Sequence, residues 1–305
     1  VQRFRKYAAH GQHFYNVGID YGYLSRKLTI AGETAIDKNQ ALATINMATI
    51  RLSSRLDVML LQRFYSYRYQ ALLARSFSEG GHINNESAIY FGANWQPARN
   101  WLISGYTDYA YFPQPRYRVS TSSTAWDNML TATYTRGIST WMARYRFRKK
   151  QENATGSHKV IDKKENRFRL AYSLTTDNWH AKIQADGVMI QGNGLKSGWM
   201  ASVSGGWQTT KTKLDAVLSY FNTNSFDSRI YTYERGLRYN FSFPSFFGKG
   251  YRTALLGRLA INSHLLFIAK LGYTHRFHIP KSQVNVHSNT QKDQADADLQ
   301  LIWKF

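Results

Sequence analysis

Cysteine is absent from this 305-residue chain. That excludes a disulfide frame, a thiolate nucleophile and any cysteine-based metal site, and is compatible with an oxidising compartment without demanding one. Proline is scarce, at 5 residues, so few positions forbid a ladder hydrogen bond. No run of about 18 consecutive apolar residues occurs, as a membrane-crossing helix would require, and mean hydropathy is -0.48. Acidic residues are few: 19 against 40 Lys plus Arg, a formal net charge of +21. Such an excess favours polyanions, whether nucleic acid, acidic polysaccharide or lipopolysaccharide phosphates, and sign alone does not choose among them.

Catalytic signatures are missing too. There is no His-Glu-x-x-His, no paired His with a third ligand, no nucleophile elbow, no Walker loop and no dinucleotide fingerprint. His10 and His13 lie close together, and His278 and His287 flank a polar stretch, without any such spacing. A metal site or a barrel hydrolase is the weakest reading, a non-enzymatic role is expected, and no cofactor is called for. The chain opens on Val1 with no initiator Met and no basic-then-apolar leader, which reads as a processed chain or a fragment. No composition break, repeat or heptad divides it, so residues 1–305 read as one domain.

What is present is aromatic and alternating. Tyr 21, Phe 17 and Trp 8 make up 15% of the chain, a composition that favours strands. In the last ten residues Leu299, Leu301, Trp303 and Phe305 share one parity, and Asp298, Gln300 and Lys304 the other. A transmembrane barrel strand needs such an apolar lipid side, a polar lumen side and interfacial aromatics. The pattern recurs at 12–23, 85–96, 138–148, 166–174, 178–189, 198–208, 212–221, 251–261 and 264–275, and more weakly at 27–37, 41–52, 55–65, 99–111 and 126–136. Short connections such as 52–55, 96–99, 136–137, 176–178 and 262–264 alternate with long ones at 66–84, 112–124, 149–164, 190–197, 222–229 and 277–293. Short periplasmic turns and longer outer loops are the rule for such barrels.

The segment 222–250 interrupts the alternation. Pro244, Gly248 and Gly250 are loop chemistry, so Phe226 to Gly250 reads as an outer excursion rather than a spanning strand. About 15 spanning strands follow, within a range of 14–16. Single-chain bacterial barrels usually have an even number, so further strands are expected upstream of Val1, within a larger barrel.

Three groups of residues stand out. Arg144, Arg146, Arg148, Arg167, Arg169 and Lys182, with Arg252 and Arg258, share the lumen parity with Glu33, Asp57, Glu86, Asp108, Asp186, Asp215, Asp296 and Asp298. They form either an anion path or a bracing network in which each Arg meets a carboxylate, and bracing is the stronger reading because enclosed charges demand partners. Lys149, Lys150, Lys159, Lys163 and Lys164 fall in an expected outer loop, where they either grip lipopolysaccharide phosphates or are simply solvated. Arg229, Tyr231, Tyr233, Glu234, Phe246 and Phe247 form a polar and aromatic stretch. It serves as a lumen constriction, a docking loop or plain packing, with packing slightly ahead.

Several phrases resemble a family of outer-membrane proteins from Bacteroidetes labelled helix-hairpin-helix domain-containing proteins. They are Gly32 to Asp37, Arg63 to Ala71 with Phe77-Ser78-Glu79, Asn84-Asn85-Glu86, Ala88 to Gly92, and Phe112-Pro113 to Arg118. Arg144 to Asn153, Asp227 to Glu234 and Phe243 to Gly250 complete the set, in the family's order across most of the chain. The resemblance implies the C-terminal part of a larger barrel, preceded in the family by a periplasmic DNA-binding-like module that these residues do not contain. The expectation is an all-β, antiparallel outer-membrane barrel acting as a porin-like transport component or as a scaffold in an envelope assembly. Its partners would be outer-membrane lipid, lipopolysaccharide and other outer-membrane or periplasmic proteins. The alternative is the barrel part of a DNA-binding or DNA-uptake protein.

Overall fold

A computed structural model of the chain describes residues 4, 6–9, 11–240, 243–278 and 292–303. No α-helix occurs among them, and no helix is long and apolar enough to cross a membrane. The strands, numbered in chain order, are β1 (Asn16–Leu24), β2 (Leu28–Asp37), β3 (Leu42–Ser53), β4 (Leu56–Tyr65), β5 (Glu86–Trp95), β6 (Trp101–Phe112), β7 (Ser123–Arg136), β8 (Ser139–Asn153) and β9 (Val160–Thr175). They continue with β10 (Trp179–Gly192), β11 (Gly194–Gln208), β12 (Thr212–Thr223), β13 (Ile230–Tyr231), β14 (Ser245–Phe246), β15 (Lys249–Ala260), β16 (Leu265–His278) and β17 (Asp293–Trp303). A 15-stranded sheet runs from β1 to β12 and then β15, β16 and β17, each strand beside its predecessor, while β13 and β14 form a separate two-stranded ribbon. The expected count of spanning strands is met, and 226–248 contributes none of them.

The side chains are sorted opposite to those of a water-soluble sheet. Along β16, Leu266, Ile268, Lys270, Thr274 and Arg276 are buried, while Phe267, Leu271, Tyr273 and Phe277 are exposed. Lys270 is 4% exposed and its neighbour Leu271 56%. A soluble protein hides its leucines and leaves its lysines wet; only an apolar solvent against the other face makes this arrangement stable. Every tryptophan obeys the same logic, since all 8 are between 41% and 70% exposed. Trp95, Trp101, Trp141, Trp179, Trp207 and Trp303 sit at the short-turn ends of their strands, where an amphipathic indole meets hydrocarbon on one side and headgroups on the other.

Two expected loops are mostly strand. Residues 149–153 extend β8 and 160–164 begin β9, so the connection shrinks to 154–159; in place of 190–197, only Asn193 separates β10 from β11. Charged residues depress strand propensity, but a continuing ladder outweighs it. At 15, 16 and 15 residues, β8, β9 and β11 exceed the roughly ten that cross a bilayer. The expected loop 277–293 begins later, as β16 reaches His278, and 279–291 lie outside the described residues, as do Lys304 and Phe305. The β7–β8 turn is Gly137-Ile138, with Gly137 at φ 57°, a left-handed position where glycine has no Cβ penalty.

The chain packs as two units. One comprises Val1–Ala132, Arg146–Glu165 and Gln191–Gly194; the other comprises Thr133–Tyr145, Asn166–Ile190 and Leu195–Phe305.

Candidate functional site

In the first unit the polar face centres on Arg63 of β4, whose side chain is fully buried. Its Nε donates to Glu86 of β5 at 2.5 Å, and its two terminal nitrogens donate to the Asp108 carboxylate of β6 at 2.9 and 3.0 Å. Period-2 alternation puts all three on one face, and register brings them together, with Arg63 opposite Ala88 and Tyr65 opposite Glu86. Glu86 also accepts the backbone N–H groups of Glu79 and Gly80 at 3.0 and 2.8 Å. The connection 66–85 is thereby folded back onto the polar face. Tyr65 donates to the Phe77 carbonyl at 2.8 Å, and the Gln70 N–H donates to Asp37 at 3.0 Å.

The second unit holds a parallel arrangement. Arg252 of β15 donates to Glu234 at 2.6 and 2.9 Å, to Asp296 of β17 at 2.7 and 3.1 Å, and to Thr274 of β16 at 3.0 Å. Lys270 of β16 lies 3.2 Å from Glu234. Glu234 is 2% exposed and belongs to the excursion between β13 and β14. That segment is further held by Arg235 on Asp215 at 3.0 Å and by the Arg238 N–H on Gln300 at 2.9 Å. Its two short strands pair Ile230 with Phe246 and pack on Val188, Ile190, Met200 and Phe221. The excursion therefore lies against the polar face of its unit, held there by these ion pairs and apolar contacts.

Arg146, Arg148 and Arg169 of the expected basic wall meet carboxylates. Arg146 donates to Asp127 at 2.9 Å, and Arg148 lies 3.1 Å from Asp127 and 3.4 Å from Glu79. Arg169 donates to Asp186 at 2.6 Å and to the Tyr231 carbonyl at 3.3 Å, and Arg167 donates to the Arg229 carbonyl at 3.3 Å. Arg144 and Lys182 are half-buried on the same parity, as is Arg258. Among the expected carboxylates, Glu33 and Asp298 are exposed, and Asp57 pairs with Arg51 at 3.1 Å.

The five lysines do not share a loop. Lys149 and Lys150 lie in β8, Lys163 and Lys164 in β9, and only Lys159 is in the turn. Alternation divides them between faces. Lys150 pairs with Glu79, and Lys163 with Glu152 at 3.3 Å, on the polar side. Lys149 pairs with Asp162 at 2.8 Å on the side of Tyr145 and Phe168, and Lys164 is exposed. The third group splits as well. Glu234 and Phe246 are buried anchors, Tyr231 and Tyr233 are exposed, Arg229 hydrogen-bonds Tyr231, and Phe247 meets Phe226 edge-on at 5.2 Å.

Sequence reasoning missed Arg63, Asp127 and Glu79. Arg63 shares the parity of Asp57 and Tyr65, a signal lost in the weak alternation of 55–65; Glu79 lies in a loop, where no period exists.

This sorted sheet, with buried ion pairs on one face and exposed tryptophans on the other, defines an outer-membrane β-barrel protein. The solved structure of the RagAB peptide transporter is similar to this chain at a TM-score of 0.52 and 10% identity, over 94% of this chain and 48% of that one. A porin refined at 1.8 Å resolution (TM-score 0.49, 7% identity, 96% of this chain and 100% of that one) and OmpT of Vibrio cholerae (0.45, 13%, 85% and 78%) are also similar. Only the first carries the fold assignment. No protein-family model matches the chain, and no curated protein sequence is significantly similar to it.

Proposed function

We propose that the chain is a non-enzymatic transport component of the outer membrane, in which the connection 66–85 narrows the passage along the polar face of one unit and 226–248 does so along that of the other. The observation that carries this reading is their anchoring. Each folds back onto the polar face through a buried ion-pair cluster, on Glu86 in one unit and through Glu234 in the other. A barrel serving only as a scaffold has no need of such constrictions. The test is single-channel current in planar bilayers. Small conductance is expected for the native chain, and a larger one once 232–243 is replaced by a short Gly-Ser linker. Silence from both proteins would overturn the reading.

A second set of contacts accompanies it. Lys149, Lys159 and Lys164 are on or beside the lipid side of the β8–β9 hairpin and suit lipopolysaccharide phosphates. Changing all three to Gln is expected to lower the thermal midpoint in lipopolysaccharide-containing bilayers and not in phosphatidylcholine. The helix-hairpin-helix family resemblance supports a different reading, DNA handling, for which the supporting observation is the net charge of +21. Retention of DNA that falls steeply with salt would favour it.

A further inference from the structure

A cavity of about 1300 Å³ lies in the first unit, between the connections 66–85 and 113–122 and the protruding ends of β8 and β9. Its walls are held rigidly. The Asn85 side chain donates to the Gln114 carbonyl at 3.0 Å and accepts the Gln114 N–H at 2.9 Å. Ser120 donates from both its N–H and its hydroxyl to the Asn153 side chain, each at 3.1 Å. These bonds cross-link the connections that form the walls.

Its cations fall into two classes. Arg148, Lys150 and Lys163 are engaged by Glu79, Asp127 and Glu152. Arg75, Arg116 and Arg118 have no carboxylate within ion-pair distance among the described residues. Glu152 and Glu165 are acidic side chains of the same wall, so the surplus positive charge lies on that second class. Arg116 stacks on buried Phe112, 3.4 Å from the ring centroid, and donates to Ser123 at 3.2 Å. Its Nε is nonetheless buried without an acceptor, and the Gln70 side-chain carbonyl, lining the same cavity, is buried without a donor. Burial pushes the Arg116 guanidinium down from its usual range. Arg118 stands at φ 62° in a tight turn closed by Arg116 and Val119, a left-handed position that disfavours any residue with a Cβ. Local strain of this kind persists where a side chain must be held in place.

We propose that this cavity binds a small hydroxylated anion, a sugar acid or sugar phosphate, with Arg116 taking the anionic group and Gln70 a hydroxyl. A buried donor lacking an acceptor and a buried acceptor lacking a donor are both completed by a ligand that carries a charge and an O–H. Exposed Tyr117 and half-buried Tyr67 on the wall offer aromatic surface for a sugar ring. The assignment goes beyond the transport reading and does not need it, because binding is read without current.

The experiment is calorimetric titration of the full chain in detergent micelles with glucuronate, glucose 6-phosphate, glucose and inorganic phosphate. Both sugar anions are expected to bind, and glucose is not. Arg116→Gln should weaken the sugar anions about tenfold or more, the loss expected when a charged hydrogen bond is removed. Gln70→Leu should weaken glucuronate and glucose 6-phosphate while leaving phosphate unchanged. Arg118→Gly keeps the fold testable: it relieves the left-handed strain, so its thermal midpoint should rise while affinity falls. No heat from either sugar anion, or affinity indifferent to Arg116, overturns the assignment. Displacement of bound glucuronate by purified lipopolysaccharide would also overturn it, by making the surface glycolipid the occupant.

Discussion

The two ion-pair clusters differ in where the central carboxylate resides. Around Arg63, all three charges belong to neighbouring strands, and the connection 66–85 merely donates two backbone N–H groups to Glu86. Around Arg252, the glutamate comes from the excursion itself, and Asp296 remains as a strand-borne partner if it leaves. The first cluster is thus part of the wall that a loop happens to use. The second is a clasp between loop and wall. The difference teaches that similar chemistry can fix a sheet in one place and hold a detachable element in another.

The comparison breaks first at Arg63. Arg63→Met leaves Glu86 and Asp108 buried side by side, at 1% and 6% exposure, and is expected to cost about 3–5 kcal/mol or to prevent folding. Urea unfolding in detergent checks it, and adding Glu86→Gln and Asp108→Asn should recover most of the loss. A drop below about 1 kcal/mol would show that the wall does not need this cluster. Glu234→Gln is expected to cost less, about 1–3 kcal/mol, because Arg252 keeps Asp296. Its signature is local: faster proteolysis within the excursion while the strands stay protected. Uniform loss of protection would make the second cluster a wall element too.

Smaller effects sharpen the picture. A Cβ at Gly272 would meet Asp296 and Arg252, so Gly272→Ala should destabilise by about 1–3 kcal/mol through overpacking. Loosening of the excursion alongside that loss would show that strand packing reaches the clasp. Least of all, Lys149→Gln breaks a pair whose side chains are 36% and 38% exposed, and a change within about 1 kcal/mol is expected. A larger value would mean that the hairpin relies on its exposed pairs as the polar face relies on its buried ones.

The strands were legible because sorting by parity is a local property. Ile89, Phe91 and Trp95 against Glu86, Tyr90 and Gly92 is a pattern that neighbours in sequence create by themselves. The hairpin of β8 and β9 was less so, since its lysines and glutamates look like loop until the ladder between them is seen. The candidate site was legible in half. Arg146, Arg148 and Arg169 share a parity that the sequence shows, whereas their contacts with Asp127 and Glu79 depend on the fold, and Arg116 and Gln70 give no periodic signal at all, lying in connections where side-chain direction is set by distant hydrogen bonds.

The order of residues alone determined that this chain makes alternating strands with one polar face and one apolar face, because a period of two follows from the geometry of each strand and needs no partner. Tertiary structure decided which charges pair, that 66–85 and 226–248 turn back onto the polar face, and that Arg116 and Gln70 share a cavity. Those outcomes depend on register and loop closure between residues far apart in sequence, where buried charges select the only arrangement that satisfies them.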